Sequence, residues 1–208
     1  MVKSKKELEI LLSRAPGFVH PSIFLEQYVT DSSTASELIW IAYMRRDIED
    51  KVVVDLGCGT GVLSYGALLM GAKEVVCMDL DVDALKTARD FLKVFSPKIH
   101  LVNADVALFY VKKVETVIMN PPFGIHRRGA DILFLKKALE LKPSAIYTIH
   151  KYNPQSHIVI SRLVQRHGYS IAVMVVRNMH IPAIYPMHRR RIHHFRVALY
   201  AISRSEEL

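Results

Sequence analysis

The sequence predicts a doubly wound α/β domain: a seven-stranded, mostly parallel sheet with helices on both faces and a C-terminal antiparallel hairpin. Three observations carry this. After Asp50, short apolar runs alternate with helical patterns. The first five runs are continuously apolar, as in strands covered on both faces. The last two have no convincing helix between them, which fits a closing hairpin.

The elements follow in order. Lys3 to Arg14 reads as an amphipathic helix with Leu8, Leu11, Leu12 and Ala15 on one stripe, stopped by Pro16-Gly17. Thr34-x-x-Glu37 has the form of a capping box and opens a second helix through Ile39, Ile41, Ala42 and Met44. Strands are expected at Val52–Leu56, Val75–Met78, Ile99–Val102, Val114–Met119, Ala145–Ile149, Ile171–Val176 and Val197–Ile202. Helices are expected at Val62–Leu69, Asp83–Phe95, Ile132–Leu141 and Gln155–Arg166. The 208 residues fit one domain, with 1–50 as an N-terminal helical extension and 51–208 as the core.

Composition excludes several classes. Half the residues are hydrophobic and 23% are charged, too rich a core for a disordered chain. No stretch approaches the ~18 apolar residues of a membrane span, and the N-terminus lacks the apolar region of a secretory signal. Cys58 and Cys77 lie inside apolar segments, so no disulfide framework is expected and the cytoplasm is the expected compartment. The 10 histidines show no zinc-finger spacing with cysteine, and no metal site is expected. Charge is uneven. Residues 141–205 hold 10 of the 28 bases and none of the 20 acids, which leaves the rest at 18 − 20 = −2. Such a stretch suits either a polyanion or a solvated basic face.

The first strand runs into Asp55-Leu-Gly57-Cys-Gly59-Thr60-Gly61-Val62 and then a helix. Glycines there permit positive φ and close backbone approach. A phosphate loop needs a lysine after the last glycine, and a dinucleotide loop needs glycine where Val62 stands. What remains resembles the S-adenosylmethionine loop of class I methyltransferases, whose fold is Rossmann-like. That ligand carries no phosphate, and its ammonium suits an acid such as Asp55. Asp79, at the end of the second strand, can accept from both ribose hydroxyls. Asp105, at the end of the third, can accept from the adenine amine, though each acid alone also suits helix capping.

The fourth strand ends in Asn120-Pro121-Pro122-Phe123-Gly124. The prolines donate no N–H and fix the backbone, so the carbonyls of Asn120 and Pro121 point outward as acceptors. With the Asn120 side chain they can hold both hydrogens of a planar amine and free its lone pair. Phe123 offers a face on which a flat ring can stack. The motif resembles that of amino-methyltransferases acting on adenine N6, cytosine N4 or glutamine. A base in a folded RNA would have to leave its stack to reach it.

Further segments narrow the resemblance. Leu25-Glu-Gln27-Tyr28-Val-Thr30, the glycine loop, the Asn120 motif and Ile181-Pro-Ala-Ile-Tyr185-Pro-Met-His188-Arg-Arg-Arg recur in this order in one family. The chain is similar to the archaeal form of the methyltransferases that make N6-methyladenosine in small-subunit ribosomal RNA, from about Phe18 onward. The resemblance implies that Gln27 and Thr30 fold over the cofactor as a lid. It implies that Gly57, Thr60, Val62, Asp79, Asp105 and Val106 line the cofactor pocket, where Gly59 of the same loop is also expected to approach the ligand. The family's usual Gln-Tyr-Pro-Thr reads Gln-Tyr-Val-Thr here, which removes proline's fixed φ from the lid. The resemblance further implies a small zinc-binding activator protein as partner.

His188 to Arg196 is the densest basic segment, expected as a loop on the catalytic rim. Arg189, Arg190, Arg191 and Arg196 suit phosphate contacts through the guanidinium fork. His126, Arg127 and Arg128 form a second cluster just past the Asn120 motif, and Lys151 follows the fifth strand. Two other functions stay open. One is a glutamine-amide methyltransferase of the release-factor type, which usually carries Tyr where Phe123 stands. The other is a non-catalytic RNA-binding assembly factor on the same scaffold.

Overall fold

The computed structural model describes residues 2–182 and 192–204, with backbone alone for 180–182 and 192–195. The elements in chain order are α1 (Lys5–Leu12), α2 (Ser32–Met44), β1 (Val52–Leu56), α3 (Val62–Leu69), β2 (Glu74–Asp79), α4 (Val82–Leu92), β3 (Ile99–Asn103), β4 (Thr116–Met119), α5 (Ala130–Glu140), β5 (Ala145–Lys151), α6 (Pro154–Arg166), β6 (Tyr169–Pro182) and β7 (Ile192–Arg204).

One sheet carries the strands in the order β3-β2-β1-β4-β5-β7-β6. The first five are parallel, and β7 runs antiparallel to both β5 and β6. The expected architecture is therefore the observed one. Side chains alternate between two cores. Val53, Cys77, Ile118 and Tyr147 pack with residues of α1 to α4, whereas Val54, Met78, Val117 and Ile146 pack with residues of α5 and α6. A strand buried on both sides shows no polar alternation, which is why these runs read as continuously apolar.

The strand order reverses between β1 and β4. The loops leaving those two strands thus open a crevice at the carboxyl edge of the sheet. At the same edge, Lys151 of β5 pairs with Val197, and the β6–β7 ladder continues for five more pairs, from Asn178–Arg196 to Pro182–Ile192. At ~3.4 Å per residue the hairpin projects about 17 Å past β5. The expected loop residues Arg189, Arg190 and Arg191 lie outside the described residues.

Three expectations change. The cap of α2 is Asp31, whose carboxylate accepts from the Thr34 amide (2.9 Å) and hydroxyl (2.7 Å). Thr34 is thus capped rather than capping, and Glu37 pairs with Lys5. Aspartate already supplies the acceptor that a helix N-terminus needs, one turn earlier than the Ser/Thr pattern suggested. Cys58 and Cys77 form a disulfide, although both lie in apolar surroundings. The glycine loop folds back on neighbouring β2 and brings their Cα atoms to 5.4 Å, a distance the sequence alone does not show. Finally, β6 and β7 are far longer than the apolar runs that marked them, because their ladder runs on past Lys151–Val197, the last pair of β5.

Candidate active site

The crevice holds two adjoining chambers. The larger, about 860 Å³ with its open mouth, is bordered by Gln27, Asp79, Asp105, Val106, Pro122, Arg127 and Phe134. The smaller, about 330 Å³, is bordered by Thr30, Asp55, Thr60 and Val62. Phe18, Tyr28, Gly57, Gly59 and Asn120 border both. Every residue expected to bind cofactor borders one chamber or the other.

The glycine loop is shaped by its contacts. Gly57 and Gly59 have φ of +73° and +54°, a region that L side chains rarely adopt. A Cβ on Gly59 would lie 2.8 Å from Phe18 Cζ, so the loop and the lid close on each other. Thr60 Oγ1 adds a 2.7 Å hydrogen bond to the Pro16 carbonyl.

The three acids have distinct settings. Asp55 is 1% exposed; its Oδ2 accepts from the Ser64 amide (2.9 Å) and hydroxyl (2.7 Å), which anchors the first turn of α3. Its Oδ1 is buried and has no protein partner. Burial pushes this carboxyl up to about 7, against the Ser64 hydrogen bonds that pull it down. Asp79 accepts from the Gly59 amide (2.8 Å) and the Asp81 amide (2.9 Å), and burial raises it as well. Asp81 caps α4. Asp105 accepts from the Ala107 amide at 2.8 Å.

The lid, between α1 and α2, touches both sides of the crevice. Gln27 Nε2 donates to Asp81 at 2.7 Å, and Gln27 Oε1 accepts from the Ser22 amide at 2.7 Å. Thr30 Oγ1 accepts from Asn120 Nδ2 at 2.8 Å. Glu26, a residue the sequence reading did not single out, sits at φ +51° and accepts from the His126 amide at 2.8 Å.

The Asn120 motif follows β4 at the meeting of the two chambers. Pro122 borders the larger one, whereas Pro121 and Phe123 border neither. Phe123 does not present an open face: it is 8% exposed, and Tyr28 stacks on it with centroids 5.6 Å apart and planes 23° from parallel. The lid supplies that ring, so a reading of the motif by itself could not foresee it. Among the expected RNA contacts, His126, Arg127 and Arg128 are exposed on one loop, and Arg127 also borders the larger chamber. Lys151 is exposed at the end of β5. Arg196 is exposed with its guanidinium over the Tyr152 ring at 5.4 Å. Phe18 and Phe134 complete the walls. Neither was legible, because one comes from an irregular lid and the other from a helix whose contacts only the fold defines.

The lining fits S-adenosylmethionine. Carboxylates at two strand ends face the larger chamber and an unpartnered carboxylate oxygen lies by the smaller. Hydroxyls, an amine and an ammonium can use those acceptors, whereas a pyrophosphate would be repelled.

The methyltransferase small domain model matches residues 19–143. The rRNA N(6)-adenosine-methyltransferase METTL5 of Danio rerio is 38% identical over 194 residues, covering 89% of this chain and 92% of its own. Its Drosophila melanogaster counterpart is 37% identical over 193 residues, covering 89% and 90%. A crystal structure of a candidate RNA methyltransferase from Pyrococcus horikoshii superposes with a TM-score of 0.91 at 42% identity, covering 100% of this chain and 99% of that one.

Proposed function

Starting from the chain's membership of the methyltransferase small domain family, we propose that it transfers a methyl group from S-adenosylmethionine to the N6 amine of an adenosine in RNA, small-subunit ribosomal RNA in particular. The supporting observation is the meeting of two acid-lined chambers at Asn120. A ligand with an amino-acid end in the smaller chamber and a nucleoside end in the larger has its junction beside that residue.

In this reading Asp79 accepts from the ribose hydroxyls, Asp105 from the adenine amine, and Asp55 stands toward the ammonium, directly or through water. Gly57, Gly59, Thr60, Val62 and Val106 shape the walls, while Gln27 and Thr30 hold the lid down. S-adenosylmethionine, when bound, supplies an electrophilic methyl. The remaining work is positioning. The Thr30 hydrogen bond fixes the Asn120 amide, which directs Oδ1 away from Thr30. Asn120 Oδ1 and the carbonyls of Asn120 and Pro121 then accept the hydrogens of the target amine and favour a pyramidal nitrogen. That nitrogen becomes acidic only after the bond has formed, so no residue needs to act as a strong base.

His126, Arg127, Arg128, Lys151 and Arg196 face the RNA in this reading, and Arg189, Arg190 and Arg191 contribute phosphate contacts to the same interaction. A small zinc-binding activator protein belongs to the same reading as an accessory partner. The test supplies labelled S-adenosylmethionine to the protein with ribosomal RNA or with release factor, followed by nucleoside and amino-acid analysis. N6-methyladenosine is expected. Label only in protein would favour glutamine as the substrate, and RNA binding without label would favour an assembly factor.

A further inference from the structure

Three lid residues spaced two apart reach the loop that follows β4. Glu26 accepts from the His126 amide, Tyr28 stacks on Phe123, and Thr30 accepts from Asn120. Gln27 between them turns the other way, to Asp81. With Glu26 in a turn at φ +51°, these three contacts still give the lid one side turned to the transfer motif.

The middle residue of that face is an aromatic ring. It lies on the ring expected to take the target base, and its hydroxyl is 3.5 Å from Asn120 Oδ1, the acceptor expected to take the target amine. A flat ring carrying a hydrogen donor at its edge is also what adenine offers. From this likeness we propose that Tyr28 seats and selects the target base. Its ring holds the base's place against Phe123, yields when the base enters, and then closes over the base's outer face.

Two stacked layers of about 3.5 Å each separate the outer rings by about 7 Å, more than the present 5.6 Å between centroids, so Tyr28 must retreat from Phe123 for the base to enter. The exchange also discriminates. When the Tyr28 hydroxyl leaves, Asn120 keeps an acceptor that only an amine-bearing edge satisfies; a base with a carbonyl there leaves it unpaired. No bond is made or broken by Tyr28, which acts through stacking and exclusion of water.

The inference rests on the RNA-adenine reading, and the test separates the two. Full-length wild type, Tyr28→Ala and Tyr28→Phe are compared in initial rates on small-subunit ribosomal RNA, with S-adenosylmethionine binding followed by calorimetry. Loss of one stacking face is expected to raise KM for RNA about 10- to 100-fold in Tyr28→Ala. Cofactor affinity stays within about threefold, and Tyr28→Phe recovers most of the KM. Should Tyr28→Ala not fold, Tyr28→Leu fills the space without a flat face and takes its place. An unchanged KM, a parallel loss of cofactor binding, or a Tyr28→Phe variant as impaired as Tyr28→Ala would overturn the role of Tyr28 alone. A wild type that forms no N6-methyladenosine would overturn the reading beneath it, and the seating role with it.

Discussion

Asn120 Nδ2 donates a 2.8 Å hydrogen bond to Thr30 Oγ1, tying the strand-end motif to a lid residue 90 positions earlier. The amide that must present an acceptor to the substrate is therefore oriented by the N-terminal extension rather than by its own loop. Thr30→Val keeps the shape and removes the acceptor. It should lower kcat about tenfold, a loss near that of one buried hydrogen bond. Asn120→Ala should remove transfer by more than about 100-fold while cofactor binding, read by calorimetry, stays within a few-fold. An Asn120→Ala protein that transfers normally would contradict the assignment.

Asp55 gives cofactor binding a pH dependence. Burial lifts its carboxyl from 3.8 to about 7, so the folded chain holds a proton that the unfolded chain releases. The group's contribution to stability of the ligand-free protein thus falls as pH rises from about 4 to about 7. An ammonium beside Asp55 favours the ionised form. S-adenosylmethionine affinity should accordingly rise several-fold from about pH 6 to about pH 7.5, before the ligand's own α-amino group deprotonates near ~8. Titration calorimetry across that range checks it. Asp55→Asn should bind more weakly and with little pH dependence, and a flat wild-type profile would contradict the proposed contact.

Much of this site was legible in one dimension. The glycine loop and the Asn120 motif follow strands whose apolar run is continuous, Asp79 ends one and Asp105 follows the edge strand β3, and a parallel sheet brings such strand ends to one edge. The unreadable parts are those made by returning chain. Tyr28 lies on Phe123 only because the lid crosses the crevice, and Glu26 reaches His126 across 100 positions. Cys58 and Cys77 looked like core residues, and burial is common to a free thiol and a bridged one. Asp31 outcompeted Thr34 as a helix cap although both types favour that position.

The basic rim should act through charge. Replacing Arg189, Arg190 and Arg191 together with alanine should weaken RNA binding and reduce the slope of log affinity against log salt by about 2. Filter binding over a salt series reads both quantities. Because these contacts fall on phosphates, the loss should be similar for RNAs of different sequence. An unchanged slope would remove these three arginines from the interface.

The central claim is the identity of the methylated atom. The protein incubated with labelled S-adenosylmethionine and small-subunit ribosomal RNA, followed by nuclease digestion and nucleoside chromatography, reads it directly. The expected result is label comigrating with N6-methyladenosine and absent from an Asn120→Ala reaction. Label confined to protein, or RNA bound without any methylated nucleoside, would contradict it.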